Sequence, residues 1–278
     1  MMNTKIVNHS LWGKTLFADN GIIEIGVPLE FGLRITYLSY RGSENLFFEQ
    51  PKDMTDLTTS EGWRIYGGHR LWIAPESDDT YYPDNNPIFY EISDNAITII
   101  QQKDPWIMIE KSMEISFPTD DSLQVIHKVK NINSITRTCA IWPVTSVAPG
   151  GTQIIPLHYS ESGCAPLHRI STWFYTNLGD ERATYNRDSI ILKHKPTSER
   201  YKIGIGHPNG HISYSNKGVV FEKKFCVYPE KEYTDGNVSY ETFMCDHMVE
   251  IESLSPLYNI KPGQCAQHTE IWTLKKCK

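Results

Sequence analysis

Apolar positions along this chain recur mainly at every second residue, and runs with a 3.6-residue period are hard to find. Along Leu123-Gln124-Val125-Ile126-His127-Lys128-Val129 the alternation is plain, and it places His127 in phase with Leu123, Val125 and Val129. A histidine on such an apolar face reads as a core residue with its hydrogen bonds satisfied. Short runs rich in β-branched and aromatic residues are separated by Gly, Pro, Asn and Asp clusters. Strands are predicted at 22–27, 33–40, 45–49 and 69–73, with a corner at 28–32 and a polar surface loop at 50–62. A meander follows at 88–92, 96–102, 106–117, 122–131 and 137–147, with Asp94-Asn95 as a turn. The last third reads as strands at 189–194, 201–206, 211–214, 219–227, 239–245, 247–254 and 268–274. No Ser/Gly-rich linker, charge run or repeat divides the chain, so the expectation is one all-β domain over residues 1–278.

Composition changes this picture little. A hydrophobic content of 40%, with 12% aromatic residues, is enough for a large core, and a formal charge of −6 argues against a nucleic-acid partner. No apolar run reaches the length of a membrane span. The start of the chain lacks the apolar segment of a secretory signal, and the six cysteines are scattered with no CxxC pair. Free thiols, a cytoplasmic location and a monomer or homodimer are the expectations. The ten histidines show no HxH or HExxH spacing, so no metal is predicted, and no cofactor is called for.

Two stretches carry candidate chemistry. The first is Glu61 to Glu76, with a glycine pair, two Trp, two Arg and one His in sixteen residues. Gly67-Gly68 suits positive φ or a close backbone approach. In the strand that follows, His69, Leu71 and Ile73 share one face while Arg70 and Trp72 share the other. A guanidinium beside an indole suits a polyhydroxylated ligand, because the fork donates to hydroxyls and the ring covers C–H faces. A glycine turn before a partly buried strand, with Arg70 paired to a structural carboxylate, explains the same residues. The loop from Ser77 to Pro87, with Tyr82, forms a rim on the first reading and an ordinary connector on the second. The other stretch is His247 to Leu254, where Glu250 and Glu252 face one way and Val249 and Ile251 the other. Same-face neighbours lie roughly 7 Å apart along a strand. If that face lines a cleft, each carboxylate raises the other's pKa and one is poised as a proton acceptor; on an exposed edge both are simply hydrated.

Several of these segments together resemble the galactose-mutarotase-like superfamily of aldose 1-epimerases. The resemblance rests on Glu250-Ile251-Glu252-Ser253-Leu254-Ser255-Pro256, on Lys261-Pro262-Gly263-Gln264 before the aromatic final strand, and on Val129-Lys130-Asn131. Gly67 to Trp72 and Trp173 to Arg182 are similar to an uncharacterised family within it. The similarity runs over nearly the whole chain and implies a mostly antiparallel β-supersandwich that binds a sugar or sugar derivative. It implies anomer interconversion, with Glu252 as the base and Glu250 as its close competitor. The family's catalytic histidine has no counterpart in Ile141 to Ser146, which leaves His69 as the candidate acid. The candidate sugar contacts are Arg64, Tyr66, Arg70, Trp72, Tyr82 and Trp142. A sugar-binding protein without turnover, and a lyase or hydrolase on the same scaffold, remain alternative readings.

Overall fold

The computed structural model describes residues 2–54, 62–158, 163–164 and 167–277. The chain opens with a hairpin of β1 (Asn3–His9) and β2 (Gly13–Asp19) that the alternation did not reveal. β1 is exposed along nearly all its length and β2 buries four residues in a row, so neither shows a period of two. β3 (Ile23–Pro28) follows as expected, whereas the predicted strand at 33–40 is interrupted at Thr36 into β4 (Arg34–Ile35) and β5 (Tyr37–Tyr40). The expected strand at 45–49 makes only two isolated bridges, Phe47 to Val147 and Glu49 to Gly67. Of the loop expected at 50–62, positions 55–61 lie outside the described residues.

Next come β6 (Gly68–Ala74) and the meander of β7 (Phe89–Ile92), β8 (Ala96–Ile100), β9 (Ile109–Thr119), β10 (Ser122–Asn131) and β11 (Arg137–Val147). β9 begins three residues later than the pattern suggested, because 105–108 form a turn with Met108 at φ 53°. Short strands absent from the sequence reading then appear: β12 (Thr152–Pro156), β13 (Arg169–Thr172) and β14 (Ala183–Tyr185). After them run β15 (Ser189–Lys193), β16 (Tyr201–Gly206), β17 (His211–Asn216), β18 (Val219–Phe225) and β19 (Tyr240–Met244). β20 (Val249–Ser253), β21 (Tyr258–Ile260) and β22 (Cys265–Lys276) complete the chain.

Among the described residues all the pairings are antiparallel and build three sheets. The four-stranded sheet has the order β1-β2-β3-β5, and the ten-stranded sheet runs β14-β15-β12-β17-β18-β22-β10-β9-β8-β7. The eight-stranded sheet runs β13-β16-β19-β20-β11-β6-β4, with β21 paired to β11. One buried cluster joins them, with Leu16 from the first sheet, Val125 and Trp272 from the second, and Ile73 and Ile203 from the third. A β-sandwich of this size buries one face of each large sheet on the other, as aligned sheet packing requires. All six cysteines are free. Among the described residues no helix is long and apolar enough to cross a membrane.

Two glycines set the geometry of β6. Gly67 and Gly68 have φ of 90° and 69°. A Cβ on Gly67 would stand 2.0 Å from the Phe48 carbonyl oxygen, and one on Gly68 would stand 2.3 Å from that of Ile35. Both positive φ and close backbone approach therefore demand glycine here, and the pair aims the next residues of β6 across the sheet.

Candidate functional site

The register of the eight-stranded sheet brings distant residues into rows. Arg70 on β6 lies opposite Val144 on β11, Val144 opposite Glu252 on β20, and Glu252 opposite Glu241 on β19. One step along, Ser146 faces Glu250, Glu250 faces Phe243, and Phe243 faces Lys202 on β16. On the other side of the Arg70 row, Trp72 lies opposite Trp142. Residues two apart on a strand share a face, so these rows form a single surface. A cavity of about 160 Å³ opens on it.

Arg70, Trp72, Trp142, Glu250 and Glu252 all line that cavity, joined by Trp63, Tyr81, Tyr175 and Lys202, with Glu76 and Arg200 also on its wall. The Arg70 guanidinium lies over the Trp72 ring at 4.5 Å and donates to Glu250 Oε1 at 3.4 Å. The Ser146 hydroxyl donates to the same oxygen at 3.0 Å. Trp142 Nε1 donates to Glu252 Oε2 at 3.0 Å. Lys202 Nζ stands 2.8 Å from Glu241 Oε2 and 3.4 Å from Glu252 Oε2, between the rings of Trp142 and Trp173 at 4.8 and 4.6 Å. The wall is therefore built of indole planes and ion pairs.

The unsatisfied atoms of this surface matter as much as the paired ones. Among the described residues, Arg70 Nε and Nη1, Trp72 Nε1, Glu252 Oε1 and Glu241 Oε1 are buried without a hydrogen-bond partner. Buried polar atoms are ordinarily paired, so donors and acceptors left open around a cavity fit a ligand that supplies both. Burial pushes the Glu252 carboxyl up to about 7, with Lys202 opposing and Glu250 adding to the rise. Burial likewise pushes Glu241 up to about 8 against the pull of Lys202. Burial lowers Lys202, but Glu252 and then Glu241 outweigh it and hold the ammonium well above its ordinary value.

Four sequence candidates fall outside the cavity wall. His69 lies on the opposite face of β6, fully buried between the sheets, as the strand alternation requires. Its Nδ1 accepts from the Thr145 hydroxyl at 2.8 Å and its Nε2 donates to His127 Nε2 at 2.7 Å. Burial, with His127 and Lys223 nearby, pushes its pKa well down. It is a core residue and does not reach the carboxylates, so the acid role expected for it is withdrawn. Arg64 and Tyr66 precede β6, in a segment that is not a strand, so alternation does not apply to them. Tyr66 has φ 53°, stacks on Phe31 at 4.1 Å and carries the Arg64 guanidinium at 5.4 Å. Their neighbour Trp63 takes the inward position. Tyr82 follows the 3-10 turn Asp78–Tyr81 and meets Trp106 edge-on, while Tyr81 points inward. For Arg64, Tyr66 and Tyr82 a neighbour one residue away, Trp63, Ile65 or Tyr81, takes the place on the cavity wall.

Lys202, Glu241, Glu76 and Tyr175 were missed. Their signal is faint: Lys202 and Glu241 are single charges within the otherwise unremarkable strands 201–206 and 239–245. Among the described residues, two groups have metal-ligand chemistry, His69 with His127 and Glu270, and Cys245 with Asp246 and His247. Neither lines the cavity. In the first, the two Nε2 atoms are 2.7 Å apart, a hydrogen-bond separation. Two nitrogens on one tetrahedral zinc would stand about 3.4 Å apart.

By sequence, neither a family model nor a curated protein matches this chain. Solved structures do. A galactose mutarotase-like protein from Lactobacillus casei superposes with a TM-score of 0.60 at 10% identity, over 98% of this chain and 100% of that one. A galactose mutarotase related enzyme from Lactobacillus acidophilus gives 0.59 at 11%, over 95% and 99%. A galactose mutarotase-like protein from Clostridium acetobutylicum gives 0.57 at 9%, over 99% and 98%. The chain thus has the galactose mutarotase-like β-sandwich fold. At such identities the likeness speaks for architecture, and the chemistry has to be argued from the site.

Proposed function

We propose that residues 1–278 act as one sugar-binding domain that takes a single neutral sugar ring in this cavity and interconverts its anomers, with Glu252 as the base. The observation that carries the reading is that Glu252 with an unpartnered Oε1, and Arg70 and Trp72 with unpartnered N–H groups, line one indole-walled cavity. A hydroxyl can accept from one and donate to the other at once, and the indoles cover the C–H faces of a ring. A carboxyl held near 7 is half ionised at neutral pH and suited to take and return a proton. The volume, about 160 Å³, lies below the range of about 300–1,000 Å³ usual for larger ligands, which favours one ring over an oligosaccharide. Among the described residues the wall carries three cations, Arg70, Arg200 and Lys202, against three carboxylates, Glu76, Glu250 and Glu252. Arg70 and Lys202 already face carboxylates, so an anionic sugar gains little here and a neutral one fits.

Exchange between anomers of freshly dissolved monosaccharides, followed by polarimetry or exchange NMR, tests this. Wild type should outpace buffer for at least one sugar, and Glu252→Gln should lose about a hundredfold or more. A Glu252→Gln protein as fast as wild type would remove the mechanism. The fact that no histidine lines the cavity among the described residues supports a second reading, sugar binding without turnover. Calorimetric affinity with exchange no faster than in buffer would select it.

A further inference from the structure

Opening a sugar ring needs a proton for the ring oxygen as well as a base for the anomeric hydroxyl, and the wall of the cavity narrows the choice of donor. Arg70 and Arg200 do not give up protons under ordinary conditions. The Tyr81 hydroxyl is tied to Glu76, and the Tyr175 ring packs edge-on against Phe243. Among the described residues, Lys202 is the remaining cationic group at the cavity, and it sits next to the proposed base. We propose that Lys202 is the acid of the reaction, its ammonium protonating the ring oxygen while Glu252 takes the proton of the anomeric hydroxyl, and that Glu241 is a positioning residue that holds Lys202 in place. This rests on the anomer-exchange reading above.

The geometry suits the task. The Lys202 nitrogen and the Glu252 carboxylate are 3.4 Å apart at Oε2, and Oε1 has no hydrogen-bond partner of its own. An acid and a base that close can address the two oxygens borne by one anomeric carbon. The indoles of Trp142 and Trp173 on either side fix the ammonium, and the 2.8 Å contact to Glu241 anchors it from behind. On opening, the bond from the anomeric carbon to the ring oxygen breaks and its electron pair stays on the ring oxygen, which takes a proton from Lys202. The hydroxyl proton passes to Glu252, and the O–H pair becomes the carbonyl π bond. After rotation about the adjoining C–C bond the steps reverse, the amine retrieving its proton and Glu252 returning the other. Nothing is oxidised or reduced, and no further reactant is consumed.

Coupling between the two groups helps at the right moment. Burial pulls Lys202 down, and the charges on Glu252 and then Glu241 hold it up. When Glu252 accepts the substrate proton its charge disappears, so the ammonium becomes a stronger acid as the ring oxygen comes to need a proton.

The test separates donor from prop. Lys202→Met should lose about a hundredfold or more in kcat with KM little changed. Lys202→Arg keeps the cation and its carboxylate partners but cannot serve as an exchangeable donor, so it should fold and bind sugar yet stay as slow as the Met variant. Lys202→Cys treated with 2-bromoethylamine rebuilds an ammonium side chain and should recover rate; this holds the test open if the Met variant fails to fold. Glu241→Gln should move the alkaline limb of the kcat profile to lower pH, since a charge that holds the ammonium up is gone. A Met variant within about threefold of wild type, or an Arg variant that restores the rate, overturns the assignment of Lys202. An unmoved alkaline limb removes the part given to Glu241. A wild type no faster than buffer sinks the parent reading instead, so the two failures are told apart.

Discussion

The two faces of the eight-stranded sheet are both buried and both rich in ionisable groups, yet they are finished differently. On the face toward the ten-stranded sheet, Lys223 Nζ donates to Thr145 Oγ1 at 2.5 Å and to the Ile251 carbonyl at 3.1 Å, and it pairs with Glu270 Oε1 at 3.0 Å. The Thr145 hydroxyl donates a hydrogen bond to His69, His69 donates to His127, and His127 Nδ1 donates to the His268 carbonyl at 3.0 Å. Ser253 donates to Glu270 Oε1 at 2.6 Å, accepts from His268 Nε2 at 2.8 Å, and Trp272 Nε1 closes on Glu270 Oε2 at 2.8 Å. These tautomers follow from the partners, and every group in the chain finds one. On the cavity face the guanidinium, an indole and two carboxylates keep open positions. A complete buried network specifies structure, whereas an incomplete one around a cavity is a place for a ligand.

The largest effect should come from breaking the complete network. Lys223→Met leaves Glu270 buried without its cation and should cost about 3–5 kcal/mol, read from urea unfolding. A cost under 1 kcal/mol would mean that this face is less dependent on its pairing than its geometry suggests. Next, a bound sugar at a hundredfold excess over Kd should add about 2.7 kcal/mol in wild type, seen as a rise in Tm. Glu252→Gln should lose most of this rise, while a core variant such as His69→Phe keeps it. His69→Phe should itself cost about 1–3 kcal/mol, the penalty for leaving Thr145 and His127 incompletely paired; lost sugar affinity in that variant would contradict the separation of the two faces.

Dependence on pH should divide the faces by sign. His127 and His268 are pushed down to about 3 by burial. The unfolded chain protonates them below about 6.5 while the folded one does not, so they remove stability as pH falls from there toward 3. Glu252 and Glu241 stand at about 7 and 8. The folded chain holds their protons above about 4.3, where the unfolded one releases them, so they remove stability as pH rises from there to about 8. Between these limits the two contributions oppose. A thermal-melt series from pH 4 to 9 should show the alkaline decline flattened in a Glu241→Gln, Glu252→Gln double variant, with the acid limb kept. The smallest effect is expected for Glu252→Gln alone near neutral pH: no loss of stability, or a gain of about 0.5–1 kcal/mol, as for a site that trades stability for function.

Alternation alone revealed most of the architecture. A period of two over 122–131 and 137–147 needs no tertiary information, because each side chain simply points to one face or the other. The same rule separated His69 from Arg70, and it placed Glu250 with Glu252. It has nothing to say where the backbone departs from a strand, at Tyr66 with its positive φ and at the 3-10 turn before Tyr82, because the period there is no longer two. It failed for β1, which has no buried face to betray it.

Strand neighbours are another matter. Five strands, β6, β11, β20, β19 and β16, lie side by side in that order although their residues span 68 to 253 of the chain. Only their register sets Arg70 in line with Glu252 and Glu241, and places Lys202 between two carboxylates. Local pattern specifies which way a side chain points, since that is decided within a few bonds. Which carboxylate meets which cation depends on hydrogen bonds between segments remote in sequence, and that was settled by the folded sheet alone.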